Sequence, residues 1–448
     1  MSARGRIAVA AAIVVSIVAG GPAGEAHRVA PTAPATTPPT PAAGTSAVTY
    51  HRDVAPILQR SCQECHRPGE VAPMSLLTYA DARESASRIQ EALASGTMPP
   101  WFADPDVNRF SNDRRLSDAE VRTLLSWVNA GAPEGNPAEA PPLRQFEEGW
   151  TIGKPELVLE MPKPFEIPAK GTLEYQFVVI PLGFTEARWV QAFEIRPGNR
   201  SVVHHVTAVL RGPGSQWLTD VPVGEARPKR GLNTTATLSM ASGSIGSYTP
   251  GRAAARYPAG RATLIPAGSD LVLELHYTTN GKATTDRTRV GFIFATEPPA
   301  EQVRRFAIVN TTFTIPPGDP SFRVEAAATL TADVKLTALH PHMHLRGKAS
   351  EFRMVTPDGE RRTLLRVSRY DPMWQLRYHL AEELVLKKGT RLEVTSTFDN
   401  SPGNPLNPDP AIPVRWGDQT WDEMALGAFE VVVPRGAGPR VLIDRHNR

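Results

Sequence analysis

Hydrophobic residues recur at helical spacing in three stretches between residues 49 and 133. The three stripes are Val54, Ile57 and Leu58; Ala82, Ala86, Ile89 and Leu93; and Val121, Leu124, Leu125 and Val128. The third stripe follows Ser117, and Glu120 lies three residues after that serine, a spacing that predicts a capping box at a helix start. The pattern therefore predicts a small all-α domain over residues 49–133.

After residue 150 the pattern changes to short apolar runs separated by Gly, Pro and Asn, which is typical of β-strands. Such runs cover residues 157–159, 175–180, 271–275 and 290–294. A content of 43 Pro and 34 Gly in 448 residues also favours a turn-rich β-structure. We predict two all-β, jelly-roll-like sandwich domains, at 150–299 and 300–440, divided near Glu297-Pro298-Pro299.

Two stretches with few large apolar residues predict linkers. Residues 27–48 are rich in Pro, Thr and Ala, and residues 134–149 are rich in Pro, Ala and Glu. Residues 1–26 resemble a secretory signal, with Arg4 and Arg6 before an apolar run too short for a comfortable membrane span. We expect a periplasmic or secreted protein with no membrane span in the mature chain; an uncleaved N-terminal anchor is the alternative.

The net charge of the chain is small and bears only on strongly charged partners. It is only +3 over the full chain, and both arginines of the predicted signal contribute to it. The charge therefore gives no indication of nucleic acid or of an anionic surface as a partner.

The chain has two cysteines, and both lie in the sequence Cys62-Gln63-Glu64-Cys65-His66. C-x-x-C-H is the attachment motif of a c-type haem, in which both thiols bind the haem and the histidine ligates the iron. A redox disulfide and half of a zinc site are the alternatives, but a zinc site needs two further Cys or His ligands, and none lies nearby. The motif between predicted helices resembles a small cytochrome c.

A small cytochrome c usually has a second axial ligand, and Met98 is the candidate here. This residue lies in the loop before the last predicted helix, where the resemblance places an axial methionine, and the prolines after it stiffen the loop. Met74 and His51 are the alternatives, each with ordinary packing or surface exposure as the competing interpretation.

Six of the 11 histidines fall in three short sequences of the predicted sandwiches. They are the pair His204-His205, the single His276, and the alternating set His340, His342 and His344. Residues i and i+2 of a strand share one face, so His342 and His344 can chelate one ion, and imidazole suits copper, zinc, iron and nickel. Adjacent His204 and His205 point to opposite faces of a regular strand and can share an ion only at a bulge or a strand end. Singly, a strand histidine is more often a satisfied polar group than a ligand.

Together these sequences resemble the copper type II, ascorbate-dependent monooxygenases, the family of peptidylglycine α-hydroxylating and dopamine β-monooxygenases. That family has two sandwich domains, each with one copper. The resemblance implies a first copper at His204, His205 and His276, the last followed by a tyrosine, and a second copper at an H-x-H pair and a methionine in Asp-Glu-Met. The residues that match the second set are His342, His344 and Met424.

The same resemblance implies a reaction. His342, His344 and Met424 are then the catalytic residues, at which O₂ is used to hydroxylate a C–H bond of a small organic substrate. Two external electrons are needed per turnover, and the haem domain would supply them, with the linker raising its effective concentration. The candidate electron donors are ascorbate and a redox protein.

The chain departs from the family in two respects. Its predicted sandwiches contain no cysteine, whereas the animal members are disulfide-rich. The positions that bind the substrate carboxylate in peptide-amidating members correspond to His340, Leu426 and Ala428, which argues against peptidylglycine as the substrate. Two other functions stay open: a non-haem iron oxygenase with Asp422 or Glu423 as a ligand, and an electron-transfer cytochrome fused to a non-catalytic binding sandwich.

Overall fold

The computed structural model describes residues 47–146, 149–228, 243–249, 254–417, 419–437 and 442–445. The predicted signal and almost all of the linker predicted at 27–48 lie outside the described residues. Strands far outnumber helices, which confirms the prediction of a mostly β structure. Among the described residues, no helix combines the length and the apolar character that crossing a membrane requires.

The helices lie in the first part of the described chain. They are a π-helical turn at Tyr50–Val54, α1 at Ala55–Ser61, α2 at Tyr79–Glu84, α3 at Ala86–Ala94 and α4 at Asp118–Asn129, with 3₁₀ turns at Pro137–Glu139 and Arg435–Ala437. Helix α4 begins with the predicted capping box, because Ser117 and Glu120 exchange both side-chain-to-backbone hydrogen bonds. The second predicted helix is instead two short helices, since Ser85 ends α2 and begins α3.

Strands form the remainder of the regular structure. The first twelve are β1 Leu157–Glu160, β2 Phe165–Ile167, β3 Gln176–Pro181, β4 Arg188–Arg196, β5 Val203–Arg211, β6 Arg227–Pro228, β7 Ser244–Tyr248, β8 Ala254–Arg256, β9 Arg261–Ile265, β10 Asp270–Tyr277, β11 Thr284–Asp286 and β12 Arg289–Phe294. The others are β13 Glu301–Asn310, β14 Thr314–Ile315, β15 Phe322–Leu330, β16 Val334–His342, β17 Gly347–Val355, β18 Arg361–Val367, β19 Tyr378–Leu386, β20 Arg391–Phe398, β21 Val414–Arg415, β22 Ala425–Pro434 and β23 Ile443–Arg445.

One nine-stranded sheet contains strands from both predicted sandwiches. Its order is β1-β12-β4-β9-β13-β22-β16-β19, with β8 paired to β4. The two halves join where β9 and β13 pair in parallel, with Glu301 opposite Arg261. Two five-stranded sheets complete the layers, in the orders β6-β3-β10-β5-β7 and β18-β17-β20-β15-β23.

Each five-stranded sheet shares a hydrophobic core with one half of the large sheet. In the first core, Phe193 and Phe292 of the large sheet pack with Val206 and Leu273 of the smaller one. The second core combines Phe306, Leu336 and Phe429 of the large sheet with Phe352, Leu365 and Val394. These clusters bury the inward-facing residues of both layers, as expected of packed sheets.

The segment between α3 and α4 packs into the second of these cores. Trp101 and Phe110 are buried there, and their rings lie 5.0 and 5.5 Å from the ring of Tyr378. The segment also adds backbone pairing, because Phe110 forms an isolated antiparallel bridge with Leu380. The helical part is therefore fixed to the β-sheet body by a shared core, and not only by the chain at 134–149.

Candidate functional site

A cavity lies against the C-x-x-C-H sequence. Its volume is about 430 Å³, and Cys62, Cys65 and His66 line it. Cys62 ends helix α1 and donates its backbone N–H to the carbonyl of Leu58. The backbone N–H groups of Cys65 and His66 both donate to the carbonyl of Cys62, so a tight turn brings both thiols and the imidazole to one cavity.

The cavity wall combines apolar and basic side chains. Its apolar members include Leu58, Leu76, Ile89, Leu93 and Leu124, and its basic members are Arg60, Arg88, Arg114, Arg115 and Arg144. Two acidic members, Asp113 and Glu64, pair with Arg115 and Arg144, and the basic members of the wall outnumber the acidic ones. Burial raises the pKa of both thiols, that of Cys62 to about 12, and burial also lowers the pKa of His66. A neutral imidazole is the form that ligates a metal. The wall fits a large apolar group with acidic substituents, such as a haem.

Two methionines remain candidates for the second axial ligand. Met98 and Met74 both line the cavity. His51 lies elsewhere among the described residues, 3.4 Å from a carboxylate oxygen of Glu134 and against the ring of Tyr50. The geometry therefore keeps both thioethers as candidates and gives His51 a different environment.

His204, His205 and His276 form the first histidine cluster. One ring nitrogen of each lies within 4.8 Å of the others. His204 and His205 can share a site because β5 has a bulge opposite β10. His205 pairs with His276 and Val203 pairs with Tyr277, so His204 is the extra residue of the bulge. This bulge is the condition under which adjacent histidines can turn to one ion.

The protonation of the first histidine cluster suits a metal. Burial lowers the pKa of all three imidazoles, that of His276 to about 3, so all are neutral at pH 7. His204 Nε2 donates to the carbonyl of Met373 at 3.1 Å, which leaves the lone pair on Nδ1, 3.2 Å from Nδ1 of His205. Among the described residues, the buried Nδ1 of His276 has no hydrogen-bond partner. A cation between these nitrogens would satisfy all three.

An aromatic ring supports the first histidine cluster. Tyr175 stacks on His276, with ring centroids 4.5 Å apart and an interplanar angle of 18°. The same ring lies 5.4 Å from His205. Tyr175 is buried, so it excludes water from that side of the imidazoles and limits their rotation.

His342 and His344 form the second histidine cluster, and Met424 is its candidate third ligand. The rings of the two histidines lie 5.2 Å apart. Strand β16 ends at His342, which pairs with Leu426, and β22 begins at Ala425, so His344 and Met424 lie just beyond the paired strands. Glu423 Oε2 accepts the backbone N–H groups of both residues, which connects Met424 to the turn that carries His344.

Hydrogen bonds fix the tautomers of the second histidine cluster. His342 Nδ1 donates to Oε1 of Gln375 at 3.0 Å, and His344 Nδ1 donates to the carbonyl of Asp422 at 3.1 Å. The lone pair of each ring is thereby on Nε2, and partners of this kind orient the histidine ligands of metals. His340 stacks on His342 at 6.5 Å and donates from Nδ1 to the carbonyl of Leu376.

A buried carboxylate holds the turn beside the second histidine cluster. Glu423 accepts the backbone N–H groups of His344, Arg346 and Met424, at 2.9, 2.6 and 3.3 Å. Burial raises the pKa of Glu423 to about 8, against the effect of these donors and of the Arg346 charge. Both carboxylate oxygens are therefore occupied by the backbone of the turn.

The two histidine clusters lie close to each other. The pKa of His205 is lowered by burial and then by the neighbouring histidines, which include His342 and His344 of the other cluster. One loop also contacts both clusters, since Met373 accepts from His204 and Gln375, two residues later, accepts from His342. We call residues 369–377 the bridging loop.

Sequence analysis did not identify Met373, Gln375 or Tyr175 as parts of the site, and it named Glu423 only as a possible iron ligand. Glu423 is the only one with a local signal, because it adjoins Met424 in the Asp-Glu-Met sequence. Tyr175 lies in an apolar run that indicates only a strand. The loop residues carry no pattern that connects them to the histidines.

Comparisons with known proteins add little. No model of a known protein family matches the chain, and no curated protein matches it. Among solved structures it is similar to the major capsid protein P2 of bacteriophage PM2, at 12% identity and a TM-score of 0.25, over 62% of this chain and 99% of that chain. It is also similar to a structure of the infectious bursal disease virus Gx strain, at 12% identity and a TM-score of 0.18, over 64% of this chain and 74% of that chain. Likeness at these scores carries no argument about function.

Proposed function

We propose that this protein is a copper monooxygenase that uses O₂ to hydroxylate a C–H bond of a small organic substrate and receives electrons through a c-type haem. The bulge in β5 is the observation that carries the proposal. It turns an adjacent His204-His205 pair, joined by His276, into a three-nitrogen site. Met373, which accepts from His204, and Gln375, which accepts from His342, lie two residues apart, so one loop contacts two donor sets of different chemistry.

Two copper ions and a haem would supply one-electron redox chemistry and the activation of O₂. The first histidine cluster offers three imidazoles to one ion. The second offers His342, His344 and the soft thioether of Met424, a set that suits Cu(I). The carbonyl of Met373, the side chain of Gln375 and the carbonyl of Asp422 hold the imidazoles in ligating tautomers.

The helical part supplies the residues for electron delivery. Cys62 and Cys65 would attach the haem, His66 would ligate its iron, and Met98 is the preferred second ligand, with Met74 as the alternative. Ascorbate and a redox protein are the candidate donors to the haem. The predicted export of the chain agrees with covalent haem attachment, because c-type haem is attached outside the bacterial cytoplasm.

The non-haem iron oxygenase is less compatible with the geometry. A two-histidine, one-carboxylate site would require Asp422 or Glu423 as a ligand. Both oxygens of Glu423 already accept backbone N–H groups, and Oδ2 of Asp422 accepts the N–H of Gln419. The other alternative is an electron-transfer cytochrome fused to a non-catalytic binding module. That protein would contain no copper, whereas our proposal requires two copper ions per chain.

Metal analysis of the haem-loaded protein tests the proposal. We expect two copper ions per chain, with one lost in His276→Ala and the other lost in His344→Ala. His51→Ala is the matched control, because this histidine lies outside both clusters, and it should keep both ions. Electron paramagnetic resonance of the oxidised protein should show two distinct Cu(II) signals, and a copper-free protein would rule out the monooxygenase.

An activity measurement tests the division of labour. With ascorbate as the reductant, His344→Ala should abolish O₂-dependent oxidation while haem reduction, followed optically, continues. Loss of haem reduction in that variant would contradict the separation of the electron-delivery site from the O₂ site.

A further inference from the structure

The bridging loop contacts the predicted haem cavity and both histidine clusters. Trp374 lines the cavity, together with His66 and Met98. The residue before it, Met373, accepts a hydrogen bond from His204, and the residue after it, Gln375, accepts one from His342. Three consecutive residues thus reach three sites that the proposed function requires to exchange electrons.

The loop is held in place at several points. The backbone N–H of Met373 donates to Oδ1 of Asp371 at 2.9 Å, and that of Trp374 donates to the carbonyl of Asp371 at 3.0 Å. At its start, Arg369 donates to the carbonyls of Ser95 and Gly96, just before Met98. The loop is therefore anchored both to its own turn and to the segment that carries the candidate axial ligand.

We infer that Trp374 and the carbonyl of Met373 form the electron route from the haem cavity to the first histidine cluster. The inference rests on the proposed function. Each transfer would remove one electron from ferrous haem and reduce Cu(II) to Cu(I) at the cluster, and the external donor, ascorbate or a redox protein, would restore the ferrous haem. No bond is made or broken in this step.

The contacts favour the first histidine cluster as the acceptor. The Met373 carbonyl that accepts from His204 belongs to the peptide bond preceding Trp374. The path from the indole therefore runs through Cβ and Cα of Trp374, this one peptide group and one hydrogen bond to the imidazole. The route to His342 runs through the whole side chain of Gln375 and contains more single bonds. Electron tunnelling is slower over a longer chain of bonds, so His204 receives the electron first.

Flash photolysis under anaerobic conditions tests the route. A photoexcited flavin reduces the haem of the oxidised, haem- and copper-loaded protein, and haem reoxidation is followed optically while freeze-quenched samples report the loss of the Cu(II) signal. We expect Trp374→Leu to lose most of the rate of haem reoxidation, because it removes the aromatic ring that lines the cavity. Trp374→Phe, which keeps an aromatic ring, should retain most of the rate.

Two further variants separate this route from other contacts. Glu70→Gln removes the ion pair with Arg200, which also joins the loop after the C-x-x-C-H sequence to the β-sheet body, and this control should transfer electrons at the wild-type rate. Gln375→Met removes the hydrogen bond to His342 and tests the competing route to the second histidine cluster. A slow Gln375→Met variant beside an unaffected Trp374→Leu variant would reassign the route to the second cluster and overturn the inference.

The remaining outcomes are also decisive. A wild-type rate in Trp374→Leu, with unchanged haem potential and copper content, overturns the inference and leaves the proposed function intact. Absence of any Cu(II) signal in the wild-type protein overturns the proposed function itself. If Trp374→Leu does not load haem, Asp371→Ala decides, because loss of the bond to the Met373 N–H should loosen the carbonyl and slow transfer, whereas an unchanged rate would count against the route.

Discussion

At the scale of single residues, Glu423 connects two of the predicted ligands. Its carboxylate accepts the backbone N–H groups of His344, Arg346 and Met424, and so fixes a histidine and a methionine relative to each other. The three donors favour the ionised form, but burial outweighs them and raises the pKa of Glu423 to about 8. The residue therefore acts as a positioning group for the second histidine cluster.

Glu423→Gln should weaken the second histidine cluster alone. The amide N–H₂ faces a backbone donor and leaves it unpaired, at a cost of about 1–3 kcal/mol in the free energy of unfolding. Because the ligands lose their outer support, we expect the affinity of that cluster for copper to fall about 10–100-fold. Copper titration followed by electron paramagnetic resonance measures this, and the first cluster should be unaffected.

Glu194→Gln is the matched control for this change. Glu194 is also buried and also accepts backbone N–H groups, but these belong to Thr151 and Ile152 and not to the histidine turn. This variant should lose stability and keep its copper affinity. Equal copper affinities in Glu423→Gln and the wild type would show that Glu423 does not position the ligands.

Residue types and local spacing were enough to identify the histidines, but not their partners. His342 and His344 lie two residues apart, and their rings lie 5.2 Å from each other although β16 ends at His342, so the sequence spacing alone brings them together. Met373, in contrast, lies 169 residues from His204, and Gln375 lies 33 residues from His342. Contacts at such separations depend on the tertiary fold, so no local pattern predicts them.

At the scale of elements, the bulge in β5 decides whether the first histidine cluster exists. Sequence analysis established that His204 and His205 need a bulge to share an ion, but the bulge arises from the register with β10. Register depends on which strand lies opposite, which the sequence does not specify here. The capping box of α4 could be predicted because both partners lie within one helical turn.

The segment between α3 and α4 is the element that fixes the helical part to the body. Phe110→Ala removes a ring that packs on Trp101 and Tyr378, and a large-to-small change in such a core costs about 3–5 kcal/mol. We expect residues near 101–113 to become sensitive to protease. Haem-to-copper electron transfer should also slow, because the haem cavity would no longer be held at a fixed distance from the bridging loop.

Phe292→Ala provides the comparison for this variant. Phe292 is fully buried in the first core, and that core does not include the segment between α3 and α4. It should reduce stability without selective cleavage near residues 101–113. Equal cleavage patterns in both variants would mean that Phe110 contributes only general stability.

At the scale of the whole molecule, the two halves of the β-sheet body are coupled through one sheet. Strands β9 and β13 pair in parallel at their junction, and Arg261 forms ion pairs with Glu301 and with Glu383 of the second half. Arg305 of β13 also donates to Tyr257 Oη at 2.7 Å. Sequence analysis predicted two sandwiches but not their continuity, because the Pro-rich sequence at 297–299 indicates a boundary and not a strand pair across it.

This continuity predicts that the metal-free protein unfolds both sandwiches in one transition. Exposing the edge of β9 or β13 would leave backbone groups unpaired and an ion-pair network broken, so neither half gains by unfolding alone. Scanning calorimetry should give equal calorimetric and van't Hoff enthalpies for the β-sheet body, and amides of β10 and β20 should exchange with similar free energies. Arg261→Ala should lower the midpoint of both halves together. Two resolved transitions, or a shift of one half only, would show that the junction transmits no stability and that each copper site is built on an independent domain.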